Sequence, residues 1–122
     1  MRIIVPVDTD KITIFKRTGQ APFFNIYDNE QLIDTIVNNH ALSHKNELKH
    51  SHKTDEEDVE HHRQDISNLG NCDVILAQAI GENMSKALEN IGLKIQKISK
   101  VDGEKAIEVV VKYLAYKLKR QA

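Results

Sequence analysis

Residues 69–95, Leu-Gly-Asn-Cys-Asp-Val-Ile-Leu-Ala-Gln-Ala-Ile-Gly-Glu-Asn-Met-Ser-Lys-Ala-Leu-Glu-Asn-Ile-Gly-Leu-Lys-Ile, decide the fold. Asp73 to Ala77 is apolar on both parities after its first residue, the pattern of a strand covered on both faces. Ala79-Ile80-Gly81 reads as the turn that follows. Met84, Ala87, Leu88 and Ile91 recur at helical spacing, and Gly92 stops that helix. Leu93 to Ile95 then alternates as a strand. Strand, helix and strand in so short a span form a parallel crossover, which is right-handed in nearly all proteins.

The flanks extend the same sheet. Residues 2–7 are again apolar on both parities and predict a second strand buried on both faces. Asp8-Thr9-Asp10 is a polar turn. Lys11-Ile12-Thr13-Ile14-Phe15 alternates and predicts a strand with one wet face. Phe23 to Asp28 is aromatic and β-branched, Asp28-Asn29-Glu30 is a turn, and Gln31 to Val37 completes a hairpin. At the other end, Asp102-Gly103 is expected to open a last helix. Ile107, Val110, Val111, Leu114 and Leu118 should face inward, with Lys117, Lys119 and Arg120 at the favourable C-terminal end. The expectation is a three-layer α/β domain over residues 1–122. Its sheet is mixed and five-stranded, antiparallel in front and parallel behind, with helices on both faces.

The middle of the chain is different. Residues 43–65 hold only two apolar side chains, Leu48 and Val59, too few for core. Residues 39–53 read as an exposed, mobile polar loop. Thr54-Asp55-Glu56-Glu57 fits a capping box, followed by a stripe of Val59, His62, Ile66 and Leu69. All six histidines, His40, His44, His50, His52, His61 and His62, fall in this region.

Composition narrows the function classes. The chain has 122 residues with 17 basic and 18 acidic side chains, so it lacks the basic excess of a non-specific nucleic-acid binder. One cysteine, Cys72, excludes an internal disulfide and a one-chain four-cysteine site. No apolar run is long enough to cross a bilayer, and the N-terminus reads as a strand rather than a signal peptide. These features predict a cytoplasmic protein without membrane or nucleic-acid partners. No P-loop, nucleophile elbow, dinucleotide fingerprint or zinc-protease helix is present. Asp8, Asp28 and Asp73 are expected at different ends of the sheet, which argues against a two-metal nuclease.

Open α/β sheets bind ligands beyond the carboxyl ends of their parallel strands, here the turns after Val7 and Ala77. Gly81 precedes a helix whose free N–H groups can hold an anion, with Asn83 as an amide donor. Alternatively, Gly81 is there for its backbone angles. Lys16 and Arg17, before Gly19, either meet an anionic ligand or are solvated loop residues. Neutral imidazole is a common metal ligand, and His40 with His44, or His61 with His62 beside Asp58 and Glu57, have usable spacing. The competing reading is an acidic, solvated surface helix carrying incidental histidine. Cys72, just before a buried strand, reads as an inert buried thiol.

Met1-Arg-Ile-Ile-Val-Pro-Val-Asp8, Gly19-Gln-Ala-Pro-Phe-Phe-Asn-Ile-Tyr-Asp28 and the stretch 69–95 together resemble the dinitrogenase iron–molybdenum cofactor biosynthesis family. The likeness covers most of residues 1–38 and 66–118. It implies a ribonuclease-H-like fold and a non-catalytic carrier for an iron–sulfur or iron–molybdenum-type cluster. A cofactor-assembly or client protein is then the implied partner, and the chain would be a monomer or weak homo-oligomer. The matching motif positions are Gly19, Ile80, Gly81 and Asn83, with Arg17 beside them. Arg17-Thr18 stands where relatives commonly carry His-Phe, Gln20 where they carry Arg, and Gln78-Ala79 where they carry Gly-Gly. Two other classes stay open. One is a metal-ion binding or sensing module using His40, His44, His61 and His62; the other is an interaction module pairing acidic residues 55–65 with the basic end at 117–120.

Overall fold

The computed structural model describes residues 1–38 and 72–121. Five strands form one sheet: β1 (Arg2–Val7), β2 (Phe23–Asp28), β3 (Gln31–Val37), β4 (Val74–Ala77) and β5 (Lys94–Lys97). Their order across the sheet is β3-β2-β1-β4-β5. β1 pairs antiparallel with β2, and β2 with β3; β1 pairs parallel with β4, and β4 with β5. The mixed sheet is the one the patterning predicts. Two helices follow among the described residues, α1 (Glu82–Asn90) and α2 (Ala106–Gln121).

Alternation sorts the central strands into two cores. Ile3, Val5, Val7, Tyr27, Val74 and Leu76 pack against Ala106, Val109, Val110 and Tyr113 of α2. Ile4, Phe24, Ile26 and Ile75 pack on the other face against Met84, Ala87 and Leu88 of α1. Each fully buried aliphatic or aromatic side chain contributes about 1.5–3 kcal/mol of transfer free energy, so β1 and β4, buried from both sides, hold the sheet together.

Local chemistry sets the ends. The β2–β3 turn uses Asn29 at φ +55, a conformation Asn tolerates. At the end of α1, Gly92 takes φ +88; its N–H reaches the Glu89 carbonyl at 3.0 Å, and the Leu93 N–H reaches the Leu88 carbonyl at 3.1 Å. This is a Schellman closure, completed by Leu88 and Leu93 in one core.

Two expectations fail for identifiable reasons. Residues 11–15 form no strand; they meet the sheet through an isolated Val7–Ile14 bridge, the Phe15 N–H to the Pro6 carbonyl at 3.0 Å and the Asn25 side-chain amide to the Lys11 carbonyl at 2.9 Å. Lys11 sits at φ +62, and the Asp10 carboxylate accepts the N–H groups of Ile12 and Thr13 at 2.8 and 2.9 Å. A side chain thus takes donors that a strand would place in a ladder. Helix α2 starts at Ala106, after a short turn at Lys100–Asp102; Val110 and Leu114 face inward as expected, but Ile107, Val111 and Leu118 do not. Ala106, Val109, Val110 and Tyr113 are buried, whereas Ile107, Val111 and Leu118 are exposed. The helix start is pinned by the Ala106 N–H to the Ile12 carbonyl at 2.9 Å and by a Thr13–Lys105 bridge, which fixes its rotation.

No helix among the described residues is long and apolar enough to cross a membrane. Residues 39–71, with the expected loop 39–53, the helix from Thr54 and every histidine, lie outside the described residues.

Candidate functional site

The sheet places one rim for use. β1, β4 and β5 end there at Val7, Ala77 and Lys97, while β2 begins and β3 ends there through the Phe23–Val37 pair. Two loops meet on this rim. The Ala79 N–H donates to the Lys16 carbonyl at 3.0 Å, and the Thr18 N–H donates to the Ala79 carbonyl at 3.0 Å. The Thr18 hydroxyl donates to that same carbonyl at 2.8 Å. Arg17 and Ala79 accordingly form an isolated parallel bridge. The loop carrying Lys16, Arg17 and Gly19 is therefore tied to the turn carrying Ile80 and Gly81.

Each expected residue has a definite place. Lys16 and Arg17 are exposed, so their charge faces solvent at the rim. Gly19 offers its carbonyl to the Asn38 amide at 3.2 Å. Ile80 is half-buried and packs against the α1-side core, so its side chain anchors the turn. Gly81 is the N-cap of α1 at φ −73, and its carbonyl accepts the Ser85 N–H at 2.9 Å. A Cβ added there would meet nothing within 4 Å. The backbone angle does not require glycine at this position, and neither does packing. Asn83 lies half-buried in the first turn of α1.

Two residues that sequence reasoning passed over complete the rim. Thr18 is fully buried and supplies the double tie to Ala79. Asn38, 1% exposed, donates its amide to the Gly19 and Ala21 carbonyls at 3.2 and 2.9 Å, while its Oδ1 has no partner among the described residues. Both are small polar residues of types common in any loop, so no pattern distinguishes them before the fold is known.

The rim also carries carboxylates. Asp8 accepts the Thr9 N–H at 2.7 Å. Asp10 accepts the Thr13 hydroxyl at 2.6 Å, and that bond, with the backbone donors of Ile12 and Thr13, holds its carboxyl below the usual aspartate range. These acids are occupied in shaping their own turn.

The opposite rim collects the remaining candidates. Arg2 pairs with Asp28 in register, and its N–H donates to Asp73 Oδ2 at 2.7 Å. Asp8 is thus separated from Asp28 and Asp73, while the latter two flank Arg2 together rather than lying at different ends. Cys72 sits beside them, half-buried; burial pushes its thiol up, against a smaller opposing pull from Arg2. A raised, partly covered thiol is a poor nucleophile. Among the described residues no group of three or more His, Cys, Asp or Glu side chains converges to hold a metal ion. His40, His44, His61 and His62 lie outside the described residues.

Comparison with solved structures agrees on the fold. The apo orange protein of Desulfovibrio gigas superposes with a TM-score of 0.66 at 19% identity, over 94% of this chain and 88% of that one. A Thermotoga protein of the DUF35 family superposes with a TM-score of 0.59 at 17% identity, over 94% of this chain and 87% of that one. Among curated proteins no sequence matches. A family model described as dinitrogenase iron-molybdenum cofactor matches residues 1–116, and the chain belongs to that family.

Proposed function

We propose that this protein is a non-catalytic carrier that holds an iron–sulfur or iron–molybdenum-type cluster at the Arg17–Gly81 rim and passes it on. The observation that supports this most directly is Gly81. Its φ of −73 suits any residue, and a Cβ there would point into open space. A glycine required by neither angle nor neighbours suits a backbone that an outside group approaches closely. The N–H groups at the start of α1 lie at that point, and exposed Arg17 and Lys16 stand across the tie. Backbone donors and cations match the sulfide surface and negative charge of a reduced cluster.

The described rim offers donors and positive charge, not a set of metal ligands. Ligands would come from the histidines, with His40 and His44 first. Asn38 is bonded to the rim through Gly19 and Ala21; the two residues from it to His40 span at most about 7 Å, and the six to His44 at most about 22 Å. One or two imidazoles and a fringe of N–H donors make a hold that can be released, which suits transfer to a client protein.

The test is anaerobic loading of the full chain with ferrous iron and sulfide, with and without molybdate, followed by gel filtration. Sulfide-to-metal charge-transfer absorption should co-elute with the protein. It should fall several-fold in a Lys16→Ala, Arg17→Ala double variant that folds normally. Protein eluting free of sulfide would refute the proposal. Retention of zinc or nickel with no sulfide would assign the chain to metal-ion binding instead.

A further inference from the structure

Helix α2 carries a second apolar stripe beside the one that faces the sheet. Ile107, Val111, Leu114 and Leu118 repeat at the a and d spacing of a heptad. Leu118 is 68% exposed, Val111 42% and Ile107 39%, while Leu114 is partly buried and packs against the α2-side core, so it borders both stripes. The stripe looks toward the β2–β3 hairpin. There Leu114, Lys117 and Leu118 line a groove of about 500 Å³ with Met1, Asn29 and Glu30. Leu32, opposite Tyr27 and on the same face, adds a further exposed apolar side chain. Several exposed apolar side chains on one face of the domain are unusual on a surface that meets only water.

We infer that this stripe is the seam of a two-fold dimer in which α2 packs antiparallel against α2 of a second copy. The stripe is self-complementary in that orientation. When Ile107 of one copy lies opposite Leu118 of the other, Val111 lies opposite Leu114, so β-branched residues meet leucines in every layer. The charges agree with the same register. Glu108 and Lys119 are eleven positions apart, which returns to one flank of the helix. Antiparallel pairing brings Glu108 of each copy to within about one turn of Lys119 on the other. Lys112, which falls near its own symmetry mate, is already neutralised by Asp102 at 2.7 Å. A parallel arrangement would instead set Glu108 against Glu108 and Lys119 against Lys119. This inference is independent of the carrier role, since the Arg17–Gly81 rim lies at the Val7 and Ala77 ends of the sheet, whereas Leu118 lies beside Met1 and Asn29 at the opposite end.

The test is sedimentation equilibrium of the full chain from about 10 μM to about 1 mM, the range in which a small interface associates. A monomer–dimer equilibrium is expected, abolished by Val111→Glu with Leu118→Glu while far-UV circular dichroism is unchanged. Lys119→Glu should raise the dissociation constant about two- to fivefold, and adding Glu108→Lys should restore it. The inference is overturned by a chain that stays monomeric throughout, by a dimer that survives the double glutamate variant, or by failure of the charge swap to restore pairing.

Discussion

The Ala79 carbonyl accepts two hydrogen bonds from Thr18, one from its N–H at 3.0 Å and one from its hydroxyl at 2.8 Å. Thr18 is fully buried and Ala79 partly so, which shields this pairing in part from water. It joins the loop before β2 to the turn after β4, segments sixty-one residues apart in sequence. The fold thereby turns two unconnected loops into one rim, and the rim inherits the rigidity of the two strands most deeply buried, β1 and β4.

Thr18→Val keeps the shape and removes only the hydroxyl. The Ala79 carbonyl retains the Thr18 N–H, so no acceptor is left orphaned. The expected cost is about 1 kcal/mol, the net contribution of one hydrogen bond. Urea unfolding should show a lower midpoint with an unchanged slope. Cluster retention should fall with it, because only the two backbone bonds then hold Arg17 and Gly81 in one register.

Gly81 and Gly103 form a matched pair of tests. A Cβ on Gly103 would lie 2.9 Å from the Glu108 Cβ and 3.3 Å from Val109 Cγ1, with φ at +149. Gly103→Ala should destabilise by about 2 kcal/mol or more through overpacking and backbone strain. Gly81→Ala meets open space at an ordinary backbone angle and should cost less than about 1 kcal/mol, the difference between glycine and alanine at an N-cap. If the rim holds a cluster, the order reverses in the loading assay: Gly81→Ala impairs retention and Gly103→Ala does not, once compared at temperatures where both are folded. Equal retention by Gly81→Ala and the parent would remove the main support for the rim.

Acid should weaken the protein in a defined window. The bond from Lys112 first, and then the Ser99 N–H at 2.8 Å, hold the Asp102 carboxyl below the ordinary aspartate value of 3.8. A carboxyl lowered on folding contributes its full stabilisation above its unfolded value and loses it as pH falls through the folded one. Asp10 acts in the same direction through Thr13. Thermal midpoints should therefore hold steady from neutrality to about pH 5 and decline below about pH 4. Asp102→Asn should start lower at neutral pH and decline less steeply, because the ionised form it replaces no longer distinguishes folded from unfolded chains.

How much of this was written in the sequence depends on what each signal measures. Val74 to Ala77 and Ile3 to Val7 are apolar on both parities because they are buried on both faces, so they are legible as strands from pattern alone. Residues 11–15 alternate just as well, yet Asp10 captures the Ile12 and Thr13 donors, a competition that periodicity does not register. Helix α2 carries two apolar stripes of similar strength. Choosing Val109 and Tyr113 over Val111 and Leu118 requires the Ala106–Ile12 bond, which joins residues ninety-four positions apart. The site follows the same logic. Gly81 and Arg17 stand out by position beside a predicted strand end, while Thr18 and Asn38 acquire meaning only when the loops meet.

Cys72 gives the last test, because it separates the two rims. It lies beside Arg2 and Asp73, at the start of β4, whereas Gly81 follows the other end of that strand. Burial raises its thiol, so its reaction with a disulfide reagent should be slow at neutral pH and accelerate only toward the alkaline range, as thiolate forms. Replacement by Ala removes a half-buried sulfur packed on the α1-side core, at an expected cost of about 1 kcal/mol. Cluster loading should survive that replacement unchanged, since no thiolate reaches the Arg17–Gly81 rim from the far end of β4. Loss of sulfide retention in folded Cys72→Ala would instead move the site to the Arg2 rim and leave Gly81 without a role.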